Sequence, residues 1–176
     1  MYIFDKIHFM KYLSCLLLLL ICIGFKKEEP KPKIEIYLLN KIVKDVNIPS
    51  KKDLMPEPFI NDDQIIGLNV ERNKLVLDSV AAKKIINLIQ NVTSGVQFVM
   101  TIDEEIVFGG HFWTNLSSYY PSFLVVFPPI DAELYDNYVW SDKVVFDIFY
   151  INKNQQNIYS KELIEAFRAS GRLIEE

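Results

Sequence analysis

Apolar and polar positions follow one another in blocks of two different periods, and the blocks predict strands and helices in a definite order. Ile34 to Leu39 is apolar-rich and partly alternating, which predicts a first strand. Pro49, Pro56 and Pro58 stand among charged residues and predict a connecting loop, because proline cannot donate to a β-ladder. Ile65 to Val70 predicts a second strand, Arg72-Asn73-Lys74 a polar turn, and Leu75 to Leu77 a return. The period then changes. In DSVAAKKIINLIQNVTSG, Ala81 or Ala82, Ile85, Leu88 and Ile89 recur at helical spacing, Asp78 or Ser79 stands at the cap position, and Gly95 marks the exit.

Val96 to Ile102 predicts a strand, Asp103-Glu104-Glu105 a turn, and Ile106 to Phe108 its return: a hairpin whose turn lacks glycine. Phe123 to Phe127 is a further strand, stopped by Pro128-Pro129. Asp131 to Asp142 reads as a loop or short helix, and Val144 to Ile151 alternates as a strand. Ser160 caps a last helix from Lys161 to Ser170, with Leu163, Ile164 and Phe167 inward and Gly171 at its end. The expected fold is α+β: a mostly antiparallel sheet with two helices packed on one face, as a single domain over residues 34–176.

The N-terminus reads as an address. Leu13 to Phe25, LSCLLLLLICIGF, follows Lys6 and Lys11 and is about 13 residues long, the size of a signal-peptide core and short of a membrane span. Residues 1–25 are therefore expected to be a signal peptide or membrane anchor, and residues 26–33, KKEEPKPK, a charged, proline-containing linker. The layout resembles a bacterial lipoprotein signal, although Leu20 and Ile21 before Cys22 are larger than lipoprotein processing prefers. Export follows as the expectation, to a periplasmic or membrane-tethered place in the cell envelope, with membrane contact through this segment.

Composition narrows the chemistry. The 176 residues carry a formal charge of −4, with basic residues scattered, so no nucleic-acid partner is expected. The two cysteines, Cys15 and Cys22, both lie in the apolar run, so the predicted domain has no disulfide frame, thiolate site or cysteine nucleophile.

The richest stretch is FVMTIDEEIVFGGHFWTNLSS, Phe98 to Ser118. Gly109-Gly110 is expected to bend the chain or form a bulge; the pair lacks the further glycines and lysine of a phosphate-binding loop. His111, Trp113, Ser117, Tyr119 and Tyr120 then form the candidate binding face, the aromatics acting as core plug or as contact. Tyr135, Tyr138 and Trp140 add aromatics further on. His111 has no second histidine or cysteine in the domain for a zinc site, and Asp131, Glu133, Asp136 and Asp142 do not match a calcium-loop spacing. A relay from His111 to Ser117 or Ser118, with Asp103 as the acid, is the hydrolase alternative, though no nucleophile-elbow motif is present. No catalytic residue, metal or cofactor is expected.

Three pieces in order, NKLVLDSVAAKKIINLI, GVQFVMTIDEEIVFGGHFWTNLSS and NIYSKELIEAFRASGRL, resemble the head part of the large periplasmic domain of the SecD/SecDF protein-export subunits. The resemblance covers about residues 73–173. Asp103 matches the family's turn aspartate, and Glu104 stands where the family has glycine. It implies an α+β fold, an extracytoplasmic setting and a polypeptide partner, and no catalytic residue. The resulting expectation is a non-enzymatic envelope binding protein that recognises a protein or peptide, with an envelope immunity or inhibitor protein as the alternative.

Overall fold

A computed structural model describes residues 30–40, 49–90, 95–113, 125–127, 141–149 and 159–175. The strands are β1 (Ile34–Leu38), β2 (Ile65–Asn69), β3 (Lys74–Asp78), β4 (Val96–Ile102), β5 (Glu105–Phe112), β6 (Val125–Phe127) and β7 (Lys143–Phe149). The helices are α1 (Ser79–Ile89) and α2 (Lys161–Ala169). The described strands form one sheet in the order β1-β4-β5-β6-β7-β3-β2. Every neighbouring pair is antiparallel except β5 and β6. The fold is α+β, as the alternation of periods predicts. Residues 1–25, expected to be a signal peptide or membrane anchor, lie outside the described residues. Among the described residues no helix is long and apolar enough to cross a membrane.

Register decides which face is the core. Ile36 pairs with Met100, Met100 with Phe108, Phe112 lies beside Val126, Val126 pairs with Ile148, and Phe146 with Leu75. Paired residues share a face, so these apolar side chains make one continuous surface. Ala81, Ala82, Ile85 and Ile89 of α1 and Leu163, Ala166 and Phe167 of α2 join the same buried cluster, so both helices cover this face. Each fully buried isoleucine or phenylalanine contributes about 2 kcal/mol. Ile86 is buried while Leu88 and Ile164 are half-buried, so each apolar stripe is rotated slightly from its expected position.

Both helices start where their caps dictate. Asp78 Oδ1 accepts the Ala81 N–H at 2.6 Å, and Ser160 Oγ accepts the Leu163 N–H at 3.1 Å. At the end of α2, Gly171 takes φ +73°, the Arg172 N–H returns to the Phe167 carbonyl at 2.8 Å, and the Gly171 N–H to Arg168 at 3.0 Å. This left-handed closure turns the chain back onto the sheet.

Both outer edges of the sheet are covered by irregular chain. Along β1, the Ile36 N–H donates to Ile60, and the Phe59 and Met55 N–H groups donate to Ile36 and Leu38. Along β2, the Leu68 N–H donates to Arg172, and the Ile174 N–H donates back to Leu68. Open edges pair with other chains, and such cover suppresses that.

The compact unit begins at Lys31, ahead of the boundary expected at Ile34. The Lys33 N–H donates to Asp103 Oδ1 at 3.0 Å, and the Lys33 carbonyl accepts the Asp103 N–H at 2.9 Å. These bonds hold the β4–β5 turn, a two-residue connection with Asp103 at φ +48° and Glu104 at φ +69°. Two positive φ values suit a twisted hairpin and favour glycine at the second position. Glu104→Gly is therefore expected to stabilise the domain by about 0.5–1 kcal/mol, measured as a higher urea midpoint with unchanged slope.

Tyr159 closes the core beneath α2. Its ring lies nearly parallel to that of Phe108 at 5.9 Å, and its hydroxyl donates to Asn73 Oδ1 at 3.2 Å. Burial pushes the phenol well above its ordinary value of 10.0. A raised folded value means that the stability held by the neutral phenol is intact below that ordinary value and is lost as pH rises past it. Stability is expected to fall above about pH 10 by up to about 1.4 kcal/mol per pH unit. In Tyr159→Phe this alkaline decline should be shallower, as measured by urea midpoints between neutral and strongly alkaline pH.

Candidate functional site

The stretch from Gly109 to Phe112 is strand rather than bend, and Trp113 follows it directly. Gly109 pairs with Val99, Gly110 with Phe98, His111 with Gln97 and Phe112 with Val96 in unbroken register. Neither glycine has positive φ. The expected bulge at Gly109-Gly110 is corrected to Val107, the extra residue where Met100 pairs with Phe108 but Thr101 with Ile106. Aromatic packing explains the glycine at 110. The Phe98 ring stacks on Phe112 at 4.3 Å and lies 6.4 Å from Phe108, spanning the position opposite Gly110. A large side chain lying across a strand glycine covers the backbone that the glycine leaves bare.

This continuation of β5 fixes where the next side chains go. Phe112 points into the helix-covered core, and His111 points to the other face. His111 is nevertheless only 7% exposed and Trp113 1%. Trp113 is a plug, and neither residue offers contact surface as expected from the sequence. Ser117, Tyr119 and Tyr120, the rest of the expected face, lie outside the described residues, as do Tyr135, Tyr138 and Trp140.

Trp113 is held from two sides. Its N–H donates to the Val126 carbonyl at 3.0 Å. Its ring lies against Gly95, where a Cβ would come within 2.2 Å of Trp113 Cε3. Gly95 also has φ +71°, so only glycine satisfies both the backbone and the ring. The sequence marks Gly95 as a helix exit, but nothing local links it to a tryptophan just past the end of β5. The backbone bond from Trp113 to Val126 joins residues on either side of the segment 114–124, TNLSSYYPSFL, which lies outside the described residues.

The same outer face carries a second polar group. Glu35 is 2% exposed, with Lys33 Nζ at 2.9 Å from one carboxylate oxygen and the Tyr37 hydroxyl donating to the other at 3.3 Å. The hydrogen bond and charge of Glu35 raise the Lys33 ammonium above its ordinary value. Burial, and then the nearby Glu35, raise the Tyr37 phenol. Both shifts stabilise protonated groups around one carboxylate, as in a structural ion pair.

Arg172 is the residue that sequence reasoning missed. Its Nε–H donates to Ser170 Oγ at 3.0 Å, Nη1 to the carbonyls of Asp62 and Ile65 at 2.8 and 3.3 Å, and Nη2 to the Pro32 carbonyl and Asp62 Oδ1 at 3.4 and 2.7 Å. All five guanidinium donors are thus used, and three distant segments meet on one side chain. Beside it lies a cleft of about 250 Å³, bounded by Lys31, Asp62, Asp63 and Ser170 among others. Among the described residues no group of three or more histidine, cysteine or acidic side chains is placed to hold a metal ion. No known family, curated protein or solved structure matches the chain.

Proposed function

We propose that the chain is a non-enzymatic binding protein of the cell envelope, tethered through its N-terminal apolar segment, that recognises a polypeptide or protein partner. The observation that carries this reading is the anchored base of segment 114–124. The segment follows the buried Trp113, whose backbone N–H is bonded to the carbonyl of Val126 on its other side. The segment is rich in serine and aromatic residues, Ser117, Ser118, Tyr119, Tyr120, Ser122 and Phe123. Such residues provide adaptable hydrogen bonding and large contact area at low entropic cost, and a rigid base lowers the cost further. His111 and Trp113 then position the contact residues rather than touch the partner. The burial of His111 weighs against a hydrolytic relay to a serine of this segment.

The resemblance to the SecD/SecDF head supports the same reading, since it implies an extracytoplasmic setting and a polypeptide partner. The test is photocrosslinking in cells, with a photoreactive residue at Tyr119 or Tyr120 and a control at Val145, which is 44% exposed elsewhere on the sheet. One discrete polypeptide captured from 119 or 120, and absent from 145, is the expected result. No capture from either position, in a folded and exported chain, would remove the segment as a binding surface. Capture of a toxin would assign the partner to the immunity alternative.

A further inference from the structure

The C-terminal strip that covers β2 is seated in a built recognition site, independent of the segment 114–124. Three features define the seat. The Leu68 N–H donates to the Arg172 carbonyl at 3.0 Å and the Leu68 carbonyl accepts the Ile174 N–H at 2.9 Å, which is parallel strand addition at an edge. Gly67 is a flat shelf: a Cβ there would meet Ile174 Cδ1 at 2.8 Å and the Arg172 carbonyl at 2.9 Å. Beyond the shelf, the Asp62 carboxylate and the carbonyls of Pro32, Asp62 and Ile65 form an acceptor pocket filled by the Arg172 guanidinium.

Backbone pairing supplies affinity, the shelf selects an aliphatic residue two places after the arginine, and the pocket selects a guanidinium over an ammonium. The seat therefore reads an extended Arg-Leu-Ile segment. The residue before it is Gly171, at φ +73°, with nothing within 4 Å of a Cβ built there, and it is the position at which the strip would part from α2. Leu173 and Ile174 are only half-buried in place.

We infer that this seat is a strand-addition site that accepts the strip Arg172-Leu173-Ile174 in trans as well as in cis, and that its trans ligand is the same strip of a second copy of this chain. A second copy carries the matching Arg172-Leu173-Ile174 by identity. Exchange of an identical element keeps the contacts with Leu68, Gly67 and the acceptor pocket and gives up only those at the helix end, chiefly the Arg172 and Leu173 N–H bonds to the Phe167 carbonyl, so it is a low-cost route to a dimer.

Two variants separate slot from strip. The first is the full chain ended at Gly171, which has an open seat and no strip. The second is Gly67→Val, which keeps the strip but shuts its own seat. A labelled peptide of residues 171–176 should bind the shortened chain at one-to-one stoichiometry, and the same peptide with lysine in place of Arg172 should bind at least about tenfold more weakly. The two variants mixed should run as a heterodimer in size-exclusion chromatography with light scattering, while each alone does not. If the shortened chain is unfolded but refolds on adding the peptide, the seat still accepts the strip in trans. The inference is overturned if the peptide neither binds nor restores the fold, if the lysine peptide binds equally, or if the variants stay apart on mixing.

Discussion

Gly95→Ala is expected to lower the stability of the domain by about 3 kcal/mol, through two costs that act at one atom. A Cβ at this position would stand 2.2 Å from Trp113 Cε3 and 2.5 Å from Cζ3, so the indole has to move. The ring is fully enclosed, and its backbone is bonded to Val126, so it cannot move alone. The residue would also sit at φ +71°, which costs a side-chain-bearing residue about 1–2 kcal/mol. For a domain of this size the thermal midpoint should fall by roughly 6–12 °C. Trp113→Ala should cost about 3–5 kcal/mol by itself, through the cavity it leaves. In the double variant the clash disappears and only the backbone strain is added, so the combined loss should be less than the sum. Additive losses would mean that Gly95 and Trp113 do not share a contact.

Arg172→Ala is expected to cost about 2–4 kcal/mol, and Arg172→Lys to recover little of it. The substitution removes the guanidinium from Asp62 Oδ1 and from the carbonyls of Pro32, Asp62 and Ile65, leaving Asp62 Oδ1 only the Ile34 N–H at 2.6 Å and the Asp62 carbonyl only the Ile65 N–H. A half-buried acceptor that loses its partner costs more than the bond contributed net. A lysine has three donors at one point and cannot span acceptors arranged for a planar fork. The Arg172 side chain is 15% exposed and that of Asp62 36%, so the pair is worth more than a surface ion pair but less than a fully buried one. Urea unfolding of the two variants beside the parent chain measures the difference. Equal stability of Arg172→Lys and the parent would show that charge alone, rather than the fork, joins the three segments.

The fold was legible wherever local period and capping agreed. Ser160 was readable as a cap, and Asp78 as one of two candidates with Ser79, because a side-chain oxygen before an apolar stripe has one good use. Strand order was not readable beyond the local hairpins: β1 lies beside β4, and β3 beside β7, through pairings that no short stretch encodes. Gly109-Gly110 misled because adjacent glycines usually mean a turn, whereas here Phe98, a strand away, covers one of them. Trp113 was legible as plug or contact but not which, since the deciding residue is Gly95 on the far side of β4. Arg172 carried no signal, because all its partners but Ser170 sit about 110 to 140 residues away in sequence. Long-range side-chain convergence of this kind follows the fold and cannot precede it.

The measurement that bears most directly on the proposed binding surface is a paired one on the double variant Tyr119→Ala, Tyr120→Ala. Its thermal midpoint and its capture of a partner, with the photoreactive group at Ser117, are measured beside the parent chain. Loss of capture with the midpoint unchanged to within about 1 °C is the predicted result, because contact residues on an anchored segment contribute to recognition rather than to the core. A midpoint lowered as far as in Gly95→Ala, or capture that persists undiminished, would contradict it.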